Sequence, residues 1–328
     1  MLAKHLDPRI LTSEVEMKPN RNGYGEGLVL AGKNNPQVIA LAADLTESTR
    51  TEAFAKEFPE RFVQVGITEQ NMASQAAGMA AMGKIPFIAS YAMFSPGRNW
   101  EQIRTTVCYN DSNVKIIGAH AGVSVGSDGA THQAIEDLAI TRVIPNLTVI
   151  APADIHEARK AVLWAAEHVG PVYIRLARND TPVVTTPESP FNVGRGEVLY
   201  QKEVTAGASV GIIVTGTLLH TALAVAKELE EQGVGASVLH MPTIKPLDTN
   251  AITDLAKEHS FIMTVEEHQR AGGLGGAVAE HLSETYPTKI IRVGVNDEFG
   301  QSGEPEELYK EYGLDQETII SKVLNEIG

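Results

Sequence analysis

The amino-acid sequence predicts two α/β domains: a parallel, six-stranded, doubly wound sheet, followed by a smaller and mostly parallel α/β domain. Apolar runs of strand length alternate with helical patterns along almost the whole 328-residue chain. The runs are short and rich in Val and Ile, which is typical of parallel strands that helices cover on both faces. One segment with three prolines interrupts this alternation, and the alternation restarts beyond it.

The first domain is expected over residues 21–178, after an N-terminal extension of residues 1–20. Its strands are predicted in the runs QVIALAA, RFVQVG, IPFIASY, NVKIIGAHAG, LTVIAP and PVYIRLA. Its helices are predicted in RNGYGEGLVLAGKN, TEAFAKEFPE, VQVGITEQNMASQAAGMAAMGK, RNWEQIRTTVCYN, THQAIEDLAITRV and DIHEARKAVLWAAEH.

The proline-containing segment, residues 179–194, has the composition of an interdomain linker. The second domain is expected over residues 195–328. Its strands are predicted in SVGIIVTG, GASVLHM, SFIMTVEE and KIIRVGV, and its helices in LLHTALAVAKELEEQG and RAGGLGGAVAEHL.

Composition and charge exclude several classes of function. The net charge is −14 and no cluster of Lys and Arg stands against it, so we expect no nucleic-acid partner. No apolar run approaches the roughly 20 residues that span a bilayer, and the N-terminal residues lack the apolar core of a signal peptide. The single cysteine, Cys108, excludes an intrachain disulfide, and its helical, apolar context predicts a buried structural thiol. These features predict a cytoplasmic protein without a membrane partner.

Glu69 opens a run of residues that carries no further charge until Lys84. A carboxylate at a helix start interacts with the helix dipole, which contributes about 0.3–1 kcal/mol and explains the Glu alone. It does not explain the Ala, Gly and Met residues that follow, which are too apolar for a solvated surface helix. The second interpretation is a buried acid with a chemical role.

Polar residues follow several predicted strands at the point where each strand ends. Asp44 closes QVIALAA, His120 closes VKIIGA, and Arg178 follows VYIRLA, whereas Asp128 and His132 lie in the loop after His120. Singly, each is explained as a hydrogen-bonded strand end, a turn residue or an ion-pair partner. Ligand crevices of parallel α/β sheets lie at the carboxyl ends of the strands, so together these residues predict a site.

Two aromatic residues and two negative findings complete the set. Tyr91 and Phe94 follow the strand IPFIAS, where they are either core residues or a platform for a heteroaromatic ligand. Asp128 and His132 lack a third ligand at a recognised interval, so we expect no metal held by this chain. The chain also has no Walker-type phosphate loop, so another element must hold the phosphates of any phosphorylated cofactor.

Five stretches of the sequence together resemble the C-terminal half of transketolase: VGITEQNMASQAAGMA, AADLTEST, SYAMF, GSDGATHQAIEDLA and VIPNLTVIAPAD. The resemblance runs from about Arg21 to the C-terminus and implies a pyrimidine-binding domain and the family's small C-terminal domain. The family's N-terminal, diphosphate-binding domain has no counterpart in the sequence. We therefore expect the second subunit of a split transketolase, with a separate N-terminal transketolase subunit as its partner.

The resemblance implies the cofactor, thiamine diphosphate, whose pyrimidine end would bind here while the partner chain holds the diphosphate with a Mg or Ca ion. Glu69 matches the catalytic glutamate that hydrogen-bonds a ring nitrogen of the aminopyrimidine, and an apolar pocket would raise the pKa of such a carboxyl group. Tyr91 and Phe94 match the aromatic residues around the pyrimidine. We expect Asp44 to be a further cofactor-binding residue.

The resemblance also implies how a sugar phosphate would bind. The positions that match those binding the phosphate tail are Arg21, Ser48, His120 and Arg178. Asp128 matches a residue that contacts a substrate hydroxyl, and His132 matches a catalytic residue at the reacting end. The implied reaction is the transfer of a two-carbon ketol unit between sugar phosphates of the pentose phosphate pathway.

Two departures and several alternatives stay open. Ser127 stands where the family usually has Glu, and SPGRNW follows Phe94 where a further aromatic is common, although Trp100 could take that place.

The beta subunit of a 2-oxo-acid dehydrogenase and a synthase of deoxyxylulose phosphate share the architecture, whereas His120 with Arg178 favours a sugar-phosphate tail. A non-catalytic α/β binding or assembly module is the alternative of a different class.

The small side chains of the helix after Glu69 also predict an oligomer. Ala and Gly allow two backbones to approach closely, so we expect a homodimer through this helix and a heterotetramer with the partner subunit.

Overall fold

The computed structural model describes residues 1–201 and 207–328. Its strands are β1 (Met17–Pro19), β2 (Val38–Ala42), β3 (Phe62–Gln64), β4 (Ile85–Tyr91), β5 (Lys115–Ala119), β6 (Thr148–Ile150), β7 (Val172–Arg175), β8 (Asp180–Pro182), β9 (Glu197–Gln201), β10 (Ser209–Val214), β11 (Gly235–His240), β12 (Thr243–Lys245), β13 (Phe261–Gln269) and β14 (Ile290–Val295).

Its helices are α1 (Asn20–Asn34), α2 (Glu52–Glu57), α3 (Glu69–Ala81), α4 (Trp100–Gln102), α5 (Asp137–Arg142), α6 (Ile155–Glu167), α7 (Leu219–Glu231), α8 (Thr249–Glu258), α9 (Leu274–Thr285), α10 (Pro305–Glu311) and α11 (Gln316–Ile327). A π-helix (Ile103–Cys108) continues α4 and holds the buried Cys108 thiol, whose pKa burial raises to about 12. No helix in these two described ranges is long and apolar enough to cross a membrane.

The larger sheet has the strand order β12-β6-β7-β5-β4-β2-β3. Strands β2 to β7 are parallel, which confirms the predicted parallel sheet of six strands. The seventh strand, β12, comes from the C-terminal part of the chain and pairs antiparallel with β6, Thr243 opposite Ile150. The prediction does not include this strand. By pairing with β6, β12 covers what would otherwise be an open edge of the sheet.

Helices cover both faces of this sheet, so the predicted doubly wound arrangement is confirmed. Helices α1 and α6 pack together on one face, where a methyl group on Gly23 would lie 2.0 Å from the Ile155 carbonyl oxygen. Helix α3, the π-helix and α5 cover the other face, and this core continues into α8 and α9 of the second domain. The two domains therefore share one apolar core.

The smaller sheet has the order β14-β13-β10-β11-β9, and its edge strand β9 is antiparallel. The first residues of the chain attach to this domain: Leu2 pairs with Tyr200, and Leu6 and Ile10 lie in its core. Strand β1 then pairs with β8, so both ends of the first domain are held near the linker.

Buried polar contacts also join the domains. The Arg175 guanidinium donates to Asp137 Oδ2 at 3.0 Å and to the backbone oxygen of Glu267 at 2.8 Å. The His240 Nε2 atom lies 3.0 Å from both carboxylate oxygens of Glu157. These pairs fix the second domain against the carboxyl ends of the first sheet.

The helix predicted in THQAIEDLAITRV is shorter than expected, because only α5 is helical. Its first residues form turns after Gly129, whose φ of 74° lies in the left-handed region. Helices α8, α10 and α11 and the short strands β1, β8 and β9 lie outside the predicted segments.

Candidate active site

Four rings meet at the carboxyl ends of β4 and β5. The Tyr91 and His120 rings stack with centroids 3.8 Å apart, and the Phe94 centroid lies 6.2 Å from that of Tyr91. The His132 ring stands edge-on to Phe94 at 5.6 Å. His120 has a φ of 57°, an uncommon conformation for a residue other than glycine, and it turns the chain where β5 ends.

Glu69 is the first residue of α3 and only 1% exposed. The Ser90 hydroxyl donates to its Oε1 atom at 3.3 Å, and Arg98 Nη1 donates to its Oε2 atom at 2.8 Å. The Arg98 guanidinium lies 4.8 Å from the centroid of the Phe94 ring, so it links the acid to the ring cluster. The sequence predicts an apolar surrounding for this acid, and the structure corrects that expectation by adding a cation.

Helix α3 has two different faces. Met72, Ala73 and Ala76 are buried in the core of the chain, whereas Ser74 and Gly78 are exposed on the opposite face. Packing in the core of the chain therefore explains why one face of α3 carries no charge. The small residues on the other face remain exposed.

The residues predicted to bind a phosphate tail lie near a cavity of about 640 Å³ between the domains. Arg21 and Arg178 line it, and Arg21 Nη1 donates to the backbone oxygen of Ser48 at 2.6 Å. Arg178 Nη1 donates to the Val125 carbonyl at 2.6 Å and lies 3.5 Å from Asp128 Oδ1. The structure thus brings Arg21 to Ser48 and Arg178 to Asp128.

His120 belongs to the ring cluster, and the charges of Arg21 and Arg178 on the cavity wall act on it. Its side chain is 2% exposed, and its Nδ1 atom has no hydrogen-bond partner among the described residues. Burial, followed by the positive charges of Arg21 and Arg178, lowers the pKa of His120 to about 3. The imidazole is neutral at physiological pH, so it would bind an anion through a hydrogen bond and not through charge.

Asp44 and Trp100 differ from the other predicted residues in their contacts. Asp44 is exposed after β2 with a φ of 59°, and within residues 1–201 and 207–328 its carboxylate forms no hydrogen bond or ion pair. Trp100 packs against the core, and its Nε1 atom donates to the Ile140 carbonyl at 2.6 Å. Trp100 therefore contacts the core and α5, and its place as the further aromatic residue of the site stays a prediction.

Arg98 and Glu267 are the site residues that the sequence does not reveal. Glu267 Oε1 accepts a hydrogen bond from the Ser124 N–H at 2.6 Å, and its Oε2 accepts from Thr217 Oγ1 at 3.1 Å and from the Tyr309 hydroxyl at 3.3 Å. Burial raises the pKa of Glu267, and the charge of Arg175 opposes this. The second domain thereby anchors the loop that carries Asp128. The feature of the sequence that points to Glu267 is the pair of glutamates inside an apolar strand, TVEE.

The arrangement suits a planar, hydrogen-bonding ligand at one end and an anion at the other. A buried carboxylate stands beside the flat rings of Tyr91 and Phe94, which fits a heteroaromatic ring with a nitrogen that faces Glu69. Among the described residues, no group of three or more His, Cys, Asp or Glu side chains is placed to hold a metal ion.

Comparisons with known proteins agree with this geometry. Residues 16–183 match the family model of the transketolase pyrimidine binding domain, and residues 196–319 match that of the transketolase C-terminal domain. A Methanocaldococcus jannaschii protein that is described as a transketolase C-terminal section is 46% identical over 94% of this chain and 96% of its own length.

A solved structure of a split-gene transketolase, described as an inactive beta4 tetramer, superimposes with a TM-score of 0.83 and is 45% identical, covering 94% of this chain and 97% of that one. Rat transketolase is 37% identical over 92% of this chain, which spans 48% of the rat protein. The chain belongs to the transketolase family, and its two domains are those of the family's C-terminal half.

Proposed function

We propose that this chain is the pyrimidine-binding subunit of a two-chain transketolase, which transfers a two-carbon ketol unit between sugar phosphates. The observation that carries the proposal is a buried acid, Glu69, beside a cluster of rings that ends at the arginine-lined cavity. In this assignment residues 21–178 form the pyrimidine-binding domain and residues 195–328 the C-terminal domain. The buried Cys108 thiol suits the reducing cytoplasm as its compartment.

The cofactor would be thiamine diphosphate, which when bound supplies the nucleophilic carbon that accepts the ketol unit. The residues of this chain fit its pyrimidine end: Glu69 Oε1 would hydrogen-bond a ring nitrogen, and Tyr91 and Phe94 would pack against the ring. Asp44 would lie near the same end. We assign the diphosphate and its Mg or Ca ion to the partner chain, the N-terminal transketolase subunit.

The other predicted residues would bind the sugar phosphate. Arg21 and Arg178 would contact the phosphate tail through charge-assisted hydrogen bonds, with Ser48 beside them. His120 would add a neutral hydrogen bond. Asp128 would bind a substrate hydroxyl, and His132, at the edge of the Phe94 ring, would hydrogen-bond or protonate oxygens at the reacting end.

Self-association would use the exposed face of α3. Ser74 and Gly78 permit close approach of a second backbone, and the apolar side chains of Ile67 and Met82, at either end of the helix, are 69% and 82% exposed. The beta4 assembly of the split-gene relative supports self-association of this chain. A homodimer through α3 would pair with two partner chains to give a heterotetramer.

Reconstitution with the partner subunit tests the proposal. The two-chain complex should convert xylulose 5-phosphate with an aldose phosphate acceptor, and Glu69→Ala should abolish this turnover. Glu284→Ala, which removes an exposed carboxylate on α9, is the control that should retain the rate. Near-normal turnover by Glu69→Ala would contradict the assignment.

Two further outcomes would select the alternatives. A complex that decarboxylates pyruvate but leaves xylulose 5-phosphate unchanged would indicate a 2-oxo-acid dehydrogenase or a deoxyxylulose-phosphate synthase. Calorimetry that detects no thiamine diphosphate binding, with or without the partner, would indicate a non-catalytic binding module.

A further inference from the structure

Three guanidinium groups share the wall of the interdomain cavity: those of Arg21, Arg50 and Arg178. Arg178 has a nearby counter-ion in Asp128 at 3.5 Å. Arg21 and Arg50 form no ion pair with any residue in the described parts of the chain. The cavity wall also carries the carboxylates of Asp180, Glu304 and Glu306, in a chain with a net charge of −14, so the three guanidinium groups are the cationic part of a wall of mixed charge.

Arg50 has no role in the core that would explain its place. Its side chain is exposed, and its Nε atom donates to Asn22 Oδ1 at 2.9 Å. The contact with a neutral amide orients the guanidinium without neutralising it, because an amide oxygen carries no net charge. The remaining N–H groups of Arg50 keep their capacity to bind an anion.

The backbone also fixes Arg50 in a special conformation. Its φ of 68° is left-handed, which is rare for a residue with a side chain. The Arg50 carbonyl lies so close to α1 that a methyl group on Gly25 would be 2.8 Å from its oxygen. The turn after Ser48 therefore holds Arg50 firmly beside Arg21 on α1.

This proximity has an electrostatic cost without a ligand. Burial, then the positive charge of Arg50, lowers the pKa of Arg21, and Arg178 acts in the same direction. Like charges that are held together by a rigid backbone repel each other until an anion enters. A phosphate monoester carries close to two negative charges above its second pKa of about 6, whereas a sulfonate carries one.

We propose that Arg50 is a specificity-determining residue that completes a three-guanidinium clamp with Arg21 and Arg178 and selects a doubly charged tail over a singly charged or neutral one. The inference rests on the proposed function for its substrate, the sugar phosphate. It adds to that function a third cation and a charge preference.

Kinetics of the complete two-chain enzyme test the clamp. Arg50→Gln should raise KM for xylulose 5-phosphate about tenfold, the effect of losing one charge-assisted hydrogen bond, with little change in kcat. The same variant should handle erythrulose, a ketose without an ionic tail, like the wild type. Arg50→Lys should recover part of the loss because it restores charge without the bidentate fork. Arg195→Gln removes an equal charge from a side chain that is 70% exposed outside the cavity lining, and it should change neither substrate.

Thermal protection supplies a readout that does not depend on turnover. Methyl phosphate should raise the melting temperature of the wild-type chain more than methanesulfonate at equal concentration, and Arg50→Gln should abolish this difference. If phosphate protection depends on Arg50 but the complex turns over no sugar phosphate, the clamp stands and the proposed function fails. If turnover occurs and Arg50→Gln behaves like Arg195→Gln with both substrates, the clamp is overturned and the proposed function stands.

Discussion

Breaking the buried pair between Glu157 and His240 should strongly destabilise the protein. His240 ends β11 of the second domain and Glu157 lies on α6 of the first, with side chains 3% and 4% exposed. His240 Nε2 lies 3.0 Å from both carboxylate oxygens, and Glu157 Oε2 also accepts from the Ala153 N–H at 2.8 Å. His240→Ala leaves the carboxylate buried without its cation, a change that costs about 3–5 kcal/mol.

The cost should depend on pH in a defined window. Burial opposes the charge on His240, but the attraction and hydrogen bond of Glu157 outweigh it and raise the pKa of His240 above 6.5. Burial likewise opposes ionisation of Glu157, but His240 lowers the pKa of that carboxyl below 4.5. A raised histidine pKa contributes stability that is complete below 6.5 and is lost as the pH rises through the higher folded value. A lowered carboxyl pKa contributes stability that is present above 4.5 and is lost as the pH falls through the folded value.

Urea unfolding at pH 6 and pH 9, followed by tryptophan fluorescence, measures both effects. We expect His240→Ala to lose most stability at pH 6 and clearly less at pH 9. Lys257→Ala, which breaks an exposed pair with Asp254, should cost at most about 1 kcal/mol at either pH. A loss below about 1 kcal/mol for His240→Ala at pH 6, or equal losses at both pH values, would refute an ion pair between the domains.

Two further predictions concern the elements that carry the site. Gly23→Ala should lower the free energy of unfolding by about 1–3 kcal/mol, because the added methyl would meet the Ile155 carbonyl 2.0 Å away and force α1 from α6; an unchanged thermal melt would contradict that packing. Arg98→Met should cost about 1–3 kcal/mol at pH 8, because the buried Glu69 carboxylate loses its cationic donor and keeps the hydrogen bond from Ser90. Adding Glu69→Gln to Arg98→Met should recover part of that loss in the same urea assay, whereas strictly additive losses would show that the two side chains are not coupled.

The sequence predicts the parallel sheets well because their strands are short apolar runs, a signal that each segment carries by itself. It does not predict β12, since three residues, Thr243–Lys245, become a strand only by pairing with the edge of another domain. Tertiary pairing of that kind leaves no local pattern to detect.

The same contrast applies to the candidate site. Residues at strand ends, such as His120 and Arg178, can be predicted because topology alone places them at one edge. The Arg98–Glu69 contact joins residues 29 positions apart and depends on the path of the loop after β4. Arg50 looks like an ordinary surface arginine in the sequence, and only the cavity reveals its neighbours.

The seventh strand of the larger sheet has a consequence for dividing the molecule. A fragment that ends at the linker would lose β12 and uncover the backbone N–H and C=O groups of β6. Such an edge invites pairing with strands of other chains, so the isolated pyrimidine-binding half should aggregate at concentrations at which the whole chain stays dispersed. The two domains together, joined by the short strand β12, are therefore the natural unit for recombination or expression.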